Sequence, residues 1–147
     1  MIEPYQWLMF HFEEYGYNPA NVGPASVDLT LGALKPETIR RGDKLVLYPG
    51  QFFLGSTAEY IRVPDTHCAM IQMRSSLARR GLGHKMAGFV DPGFEGQITL
   101  ELETAQVMET FLGERIVQLI YIRLTEPTQK LYRGRYQGQQ GPTEAYQ

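Results

Sequence analysis

Residues 74–103 hold most of the side chains in this sequence that could do chemistry together: Arg74, Ser75, Ser76, Arg79, Arg80, Asp91 and Glu101. A carboxylate beside hydroxyl and guanidinium groups can take a proton from water, orient that water and steady the charge that develops. Ser75 to Gly81 reads as one or two helical turns, with serine at the N-cap and glycine just past the end. Ser75 and Arg79 stand four apart and share a face, as do Ser76 and Arg80. Gly83 and Gly88 bracket a reversal, and AspProGly at 91–93 is a strong turn signal. From Gln97 to Glu103 the chain alternates with the period of a strand: Ile98, Leu100 and Leu102 point one way, Gln97, Thr99, Glu101 and Glu103 the other. Glu101 therefore leaves the apolar face. Taken singly these features are ordinary, since half-solvated strands carry polar faces; their order and spacing together mark a site.

The elements that must position these residues follow from the rest of the chain. At 147 residues it is expected to be a single domain, 1–147, whose core needs no metal or disulfide support. Val27, Leu29 and Leu31 alternate within a strand over 26–31 that leaves Asp28 in polar register. Short strands then follow at regular spacing, 44–48, 52–56, 60–63 and 69–73, separated by ProGly, SerThr and ProAsp turns, with further strands at 107–112 and 115–124. This rhythm predicts an all-β barrel or sandwich with short helices. Residues 5–15 fit an amphipathic helix, although their aromatic density also permits a strand. From Thr125 onward aliphatic residues become scarce, so the tail, about 125–147, cannot build its own core. Terminal disorder and a flexible flap over a ligand are the two readings of it.

Composition narrows the function. The single cysteine, Cys68, lies in an apolar run where a buried small side chain is expected, and the lack of a disulfide framework fits a reducing compartment. No run of eighteen apolar residues and no signal-peptide pattern occurs, so a soluble, cytoplasmic protein without membrane contact is expected. A net charge of −2 offers no general field for nucleic acid. The basic residues form two local clusters, one at Arg74, Arg79, Arg80 and Lys85 and one at Lys130, Arg133 and Arg135, which suit a small polyanion. Catalytic zinc needs Cys and His at fixed spacing, whereas His11, His67 and His84 are scattered. No nucleophile elbow supports a Ser, His, Asp triad, and no Walker loop or dinucleotide fingerprint occurs.

Six segments then carry a resemblance. ArgSerSerLeuAlaArg at 74–79, AlaGlyPheValAspProGlyPheGluGly at 87–96 and IleThrLeuGluLeu at 98–102 resemble the dCTP deaminase family, which shares a superfamily with the trimeric dUTPases. The segments at 24–32, 113–120 and 135–143 extend the match over most of the chain. The resemblance implies a distorted β-barrel of the dUTPase-like, β-clip type, assembled as a homotrimer with active sites at subunit interfaces. It implies deamination of dCTP to dUTP and ammonia without zinc, with Mg2+ bound only through the triphosphate.

Carried over residue by residue, the resemblance makes Glu101 the general acid and base, with Arg79, Ser75 and the Ala87 carbonyl orienting it and the attacking water. Arg74, Ser76 and Gln118 would hold phosphates, joined by Arg135 and Gln139 from the tail. Asp91 would accept the sugar 3′ hydroxyl, Phe94 would pack near the deoxyribose, and backbone groups from Ala87 to Val90 would read the pyrimidine edge. The AlaGlyPheValAsp form is similar to members that hydrolyse the product onward to dUMP and pyrophosphate. Some positions depart from the family pattern. The loop between Gly81 and Ala87 is one residue short, Met86 stands where threonine is common, and Arg135 replaces a common lysine. The segment from Gly32 to Lys44 is also compact. Base selectivity, the substituent tolerated at cytosine C5 and inhibition by dTTP stay open on this reading. A dUTPase without deaminase activity and a catalytically silent nucleotide-binding protein are the alternatives; an acidic residue at 101 counts against the first.

Overall fold

The computed structural model describes every residue except Gly16, Met86, Tyr146 and Gln147, so the expectation attached to Met86 lies outside the described residues. Among the described residues two α-helices, α1 (Tyr5–Phe12) and α2 (Ser75–Ala78), accompany ten strands. The strands are β1 (Val27–Lys35), β2 (Arg40–Arg41), β3 (Lys44–Leu47), β4 (Phe53–Arg62), β5 (His67–Met73), β6 (Leu82–His84), β7 (Phe89–Val90), β8 (Glu95–Thr104), β9 (Met108–Thr110) and β10 (Arg115–Arg123). The all-β expectation holds. Residues 52–56 and 60–63, read as two strands, form the single strand β4, whose pairing with β8 shifts register between Ser56 and Tyr60. That irregularity interrupts the alternation on which a sequence reading depends.

A seven-stranded antiparallel sheet runs in the order β6-β8-β4-β1-β10-β5-β7, beside a smaller sheet β2-β3-β9. Its two edge strands, β6 and β7, are separated in the chain by only residues 85–88. So short a connection spans no more than roughly 17 Å, whereas the edges of a flat seven-stranded sheet would lie about 28 Å apart. The sheet must curl until its edges face one another, and the loop 85–88 closes the seam. Two backbone bonds stitch it: Lys85 N–H donates to the Glu101 carbonyl of β8 at 2.9 Å, and Ile71 N–H of β5 donates to the Gly88 carbonyl at 2.8 Å.

Inside the curl lie the alternate residues of the long strands, Val27, Leu29 and Leu31 from β1 and Ile98, Leu100 and Leu102 from β8, with Phe53, Leu119 and Tyr121. Cys68 is buried as expected. Residues 5–12 resolve as a helix rather than a strand, and α1 caps one end of the core with Leu8 and Phe12. Ahead of it, Glu3 N–H donates to the Tyr121 carbonyl at 2.9 Å, so the first residues extend the sheet beside the end of β10. The buried Glu3 carboxylate accepts from Arg123 Nε at 2.7 Å and lies 3.4 Å from His67 Nε2. His67 is only 2% exposed, under the Trp7 ring at 4.5 Å.

Burial lowers the pKa of His67, an effect that outweighs the raising influence of Glu3, and burial lowers that of His11 as well. A group that binds its proton less readily when folded takes stability away as pH falls from its ordinary value, 6.5, toward the folded value. Glu3, lowered chiefly by Arg123, loses its contribution only below its ordinary 4.5. The melting temperature is therefore expected to fall between pH 7.5 and 5.5, and thermal unfolding of His67→Gln should show a flatter profile over that range.

Candidate active site

β8 presents Glu101 as its alternation requires, on the face opposite Leu100 and Leu102. Register places Lys35 of β1, Leu54 of β4 and Glu101 of β8 in one row across three neighbouring strands. This row forms part of the wall of a cavity of about 890 Å³. Glu101 is half-buried, and its Oε2 is shut off from solvent without a hydrogen-bond partner among the described residues. Burial pushes its carboxyl pKa up, against smaller lowering influences from its own backbone N–H and from His84. An unpartnered carboxylate oxygen in an apolar-walled cavity is costly to the fold, which makes it a candidate for chemistry.

The rest of the cavity is built by the seam loop, the turn before β8 and the tail. Gly88 accepts from Ile71 so closely that a Cβ placed there would sit 2.8 Å from the Ile71 carbonyl oxygen, so the loop needs glycine at this point. The AspProGly turn closes with Phe94 N–H donating to the Asp91 carbonyl at 3.2 Å. It brings Asp91 and Phe94 to the cavity, where the Phe94 ring meets Tyr132 edge-on at 5.7 Å. The tail follows the edge of β8 that the short β6 leaves unpaired. Gly138 N–H donates to the Glu95 carbonyl at 2.7 Å, Gln97 N–H to the Gln139 carbonyl at 2.9 Å, and Gly141 N–H to Gln97 Oε1 at 2.7 Å. Lys35 and Glu144 lie 3.6 Å apart at the far rim.

Of the residues singled out by sequence, Ala87, Val90, Asp91, Phe94, Glu101 and Gln139 line this one cavity. Ser75, Ser76 and Arg79 are exposed on and after α2, Arg135 is exposed in the tail, and none of the four lines it. Arg74 and Gln118 belong to a separate polar patch with Asp28, which faces Gln118 across the β1–β10 pair. The N-cap of α2 is Arg74, not serine, and it makes no side-chain capping bond. Ser75 already has helical conformation, and its carbonyl accepts from Arg79 N–H at 3.0 Å, one turn on. Sequence reading missed Tyr132 and Leu54. A tyrosine in a tail poor in aliphatic residues was the available signal for the first; the second emerges only from strand register.

Among the described residues no three His, Cys, Asp or Glu side chains converge as metal ligands, and no helix is long and apolar enough to cross a membrane. Residues 33–124 match the family model described as dCTP deaminase-like. A protein of Persephonella marina named dCTP deaminase, dUMP-forming, is 40% identical over 145 residues, covering 83% of this chain and 81% of that one. An Aquifex aeolicus protein of the same name is 41% identical over 144 residues, covering 85% and 80%.

Among solved structures, the 2′-deoxycytidine 5′-triphosphate deaminase of Agrobacterium tumefaciens superposes with a TM-score of 0.68 at 18% identity, over 82% of this chain and 47% of that one. A mutant dUTPase of Staphylococcus bacteriophage 80alpha, with dUpNHpp, gives 0.52 at 16% identity over 75% and 79%. A dUTPase from phage phi11 of S. aureus, whose structure concerns a structural Mg(II) ion, gives 0.55 at 13% identity over 76% and 85%. At these identities the structures speak for the fold.

A stability test follows from the buried acid. Unfolded, a glutamate ionises near 4.5; with the folded value raised, stability present below 4.5 is lost as pH rises through the folded value. Glu101→Gln is therefore expected to melt higher than the parent at pH 7 and to lose that advantage near pH 4, as followed by circular dichroism. Gly88→Ala, by contrast, should lower the melting temperature by displacing the seam from Ile71.

Proposed function

The chain belongs to the dCTP deaminase-like family, and on that premise we propose that it deaminates dCTP and carries the product on to dUMP and pyrophosphate. The observation that carries this reading is the desolvated, unpartnered Glu101 carboxylate in a cavity shared with Ala87, Val90, Asp91, Phe94 and Gln139. Its relatives' name, dUMP-forming, supports the second step.

In this mechanism water attacks C4 of cytosine as Glu101 takes its proton. The acid delivers that proton to N3, takes a second one from the new C4 hydroxyl as the carbonyl forms, and passes it to the amine. The C4–N4 bond breaks and ammonia leaves. A raised pKa suits a group that must both accept and return protons near neutrality. Ala87 lines the same cavity, and in this reading its carbonyl orients the attacking water, Asp91 accepts the 3′ hydroxyl, and Phe94 backed by Tyr132 packs on the deoxyribose and crowds out a 2′ hydroxyl. For the second step Asp91 or Glu101 positions a water at the α-phosphate, and the bond to the bridging oxygen breaks to release pyrophosphate.

Ser75, Arg79, Arg74, Ser76 and Gln118 lie outside the cavity of a single chain. We assign them to the same nucleotide through a homotrimer, in which the cavity of one copy meets α2 and the Asp28 patch of the next. Arg135 and Gln139 complete the phosphate contacts from the tail, which acts as a flap. Mg2+ would be held through the triphosphate, where it would offset part of the phosphate charge.

The deciding experiment incubates the purified protein with dCTP and Mg2+ and resolves ammonia, dUTP, dUMP and pyrophosphate. Ammonia and dUMP are expected together. Turnover of dUTP with inert dCTP would establish the dUTPase alternative instead. Glu101→Gln should reduce ammonia release by at least about 10³-fold, the scale of losing a general acid and base, while retaining nucleotide binding. The acidic limb of the parent's pH–rate profile should lie above 4.5, in line with the upward shift of Glu101.

A further inference from the structure

Away from the Glu101 cavity, a single carboxylate oxygen holds two guanidinium groups. Asp28 Oδ2 lies 3.5 Å from Arg74 Nε and 3.5 Å from Arg115 Nη1. Arg74 Nη1 also donates to the Arg115 carbonyl at 3.3 Å. The two cationic nitrogens thus stand within roughly 7 Å of one another, close enough to contact oxygens of neighbouring phosphates. Asp28 is the most enclosed of the three, its side chain 15% exposed against 28% for Arg74 and 48% for Arg115. Its backbone carbonyl accepts from the Tyr17 hydroxyl, which fixes this point of β1 from the other side. Register adds amide groups to the patch: Gln118 of β10 stands directly between Asp28 of β1 and Gln72 of β5. Two guanidiniums against one carboxylate leave a surplus positive charge ringed by amide donors, the chemistry that receives a polyanion.

We propose that Asp28 and Arg115 are positioning residues that turn Arg74 into part of a pre-oriented, two-guanidinium cradle for the triphosphate of the substrate. Asp28 orients the Arg74 fork, and Arg115 compensates the carboxylate, so that Asp28 does not repel the incoming phosphates. Arg115 also borders an open cleft of about 790 Å³, and its side chain is the most exposed of the three. The inference rests on the nucleotide reading above but is tested apart from the base chemistry, with inorganic tripolyphosphate as the probe.

Calorimetric titration with tripolyphosphate and Mg2+ is expected to show binding weakened about tenfold in Asp28→Asn and in Arg115→Gln, the loss of one oriented charged contact. The double variant should lose less than the two single losses combined, because both residues act on the orientation of the Arg74 guanidinium. Arg115→Lys, which keeps the compensating charge, should stay within about threefold of the parent. With dCTP, KM should rise and kcat stay within about twofold. Parent-like tripolyphosphate binding by Arg115→Gln, or a loss confined to kcat, overturns the proposal. If Asp28→Asn fails to fold, the two Arg115 variants carry the test. Should the protein bind tripolyphosphate as described yet leave dCTP untouched, the cradle stands and the deaminase reading falls; should it deaminate dCTP while all variants bind tripolyphosphate equally, only the cradle falls.

Discussion

Closure of the seven-stranded sheet by four residues is the constraint on which the rest of this structure depends. Residues 85–88 join strands at opposite edges of one sheet, so the sheet curls and the loop lands against Glu101 on one side and Ile71 on the other. One of the bonds that close the seam is made to the backbone of Glu101 itself, and Ala87 of the same loop lines the cavity into which that residue's half-buried carboxyl faces. A group held in a state that costs stability is a common property of sites tuned for proton transfer.

The tail resolves a second consequence of the same topology. Because β6 is only three residues long and pairs with the end of β8, the first half of β8 has an edge with no strand beside it. Backbone groups left open there need partners. Residues 137–143 supply them with backbone and amide groups, without apolar burial of their own. A segment that gains its order from edge pairing is held less firmly than a core strand, which is consistent with the flap proposed for it.

Alternation along the strands explains why the polar residues fall into two groups. Glu101 and its neighbours face one cavity, while Asp28, Arg74, Arg115 and Gln118 gather elsewhere on the same sheet. In a single chain Asp28, Arg74, Arg115 and Gln118 are not among the residues that line the Glu101 cavity. Symmetric assembly can unite the two groups, since each copy presents both surfaces and a rotation brings one against the other. The proposed trimer is the simplest arrangement in which both groups serve one nucleotide.

Local periodicity was enough to read much of this in the sequence. The two-residue rhythm of Gln97 to Glu103 placed Glu101 off the core, AspProGly announced its turn, and Ser75 to Gly81 announced a short helical turn, because each depends on neighbours a few bonds away. The all-β class followed from the same kind of signal. What distant strands share was not legible. The continuity of β4 through its irregular register, the row of Lys35, Leu54 and Glu101, and the carboxylate shared by Arg74 and Arg115 all depend on which strands lie side by side. Pairing of that kind is decided by burial of the whole core and by the requirement that a short loop join two edges, quantities that no local window of sequence contains. Tertiary structure alone therefore decided which polar groups meet and which of them is kept dry.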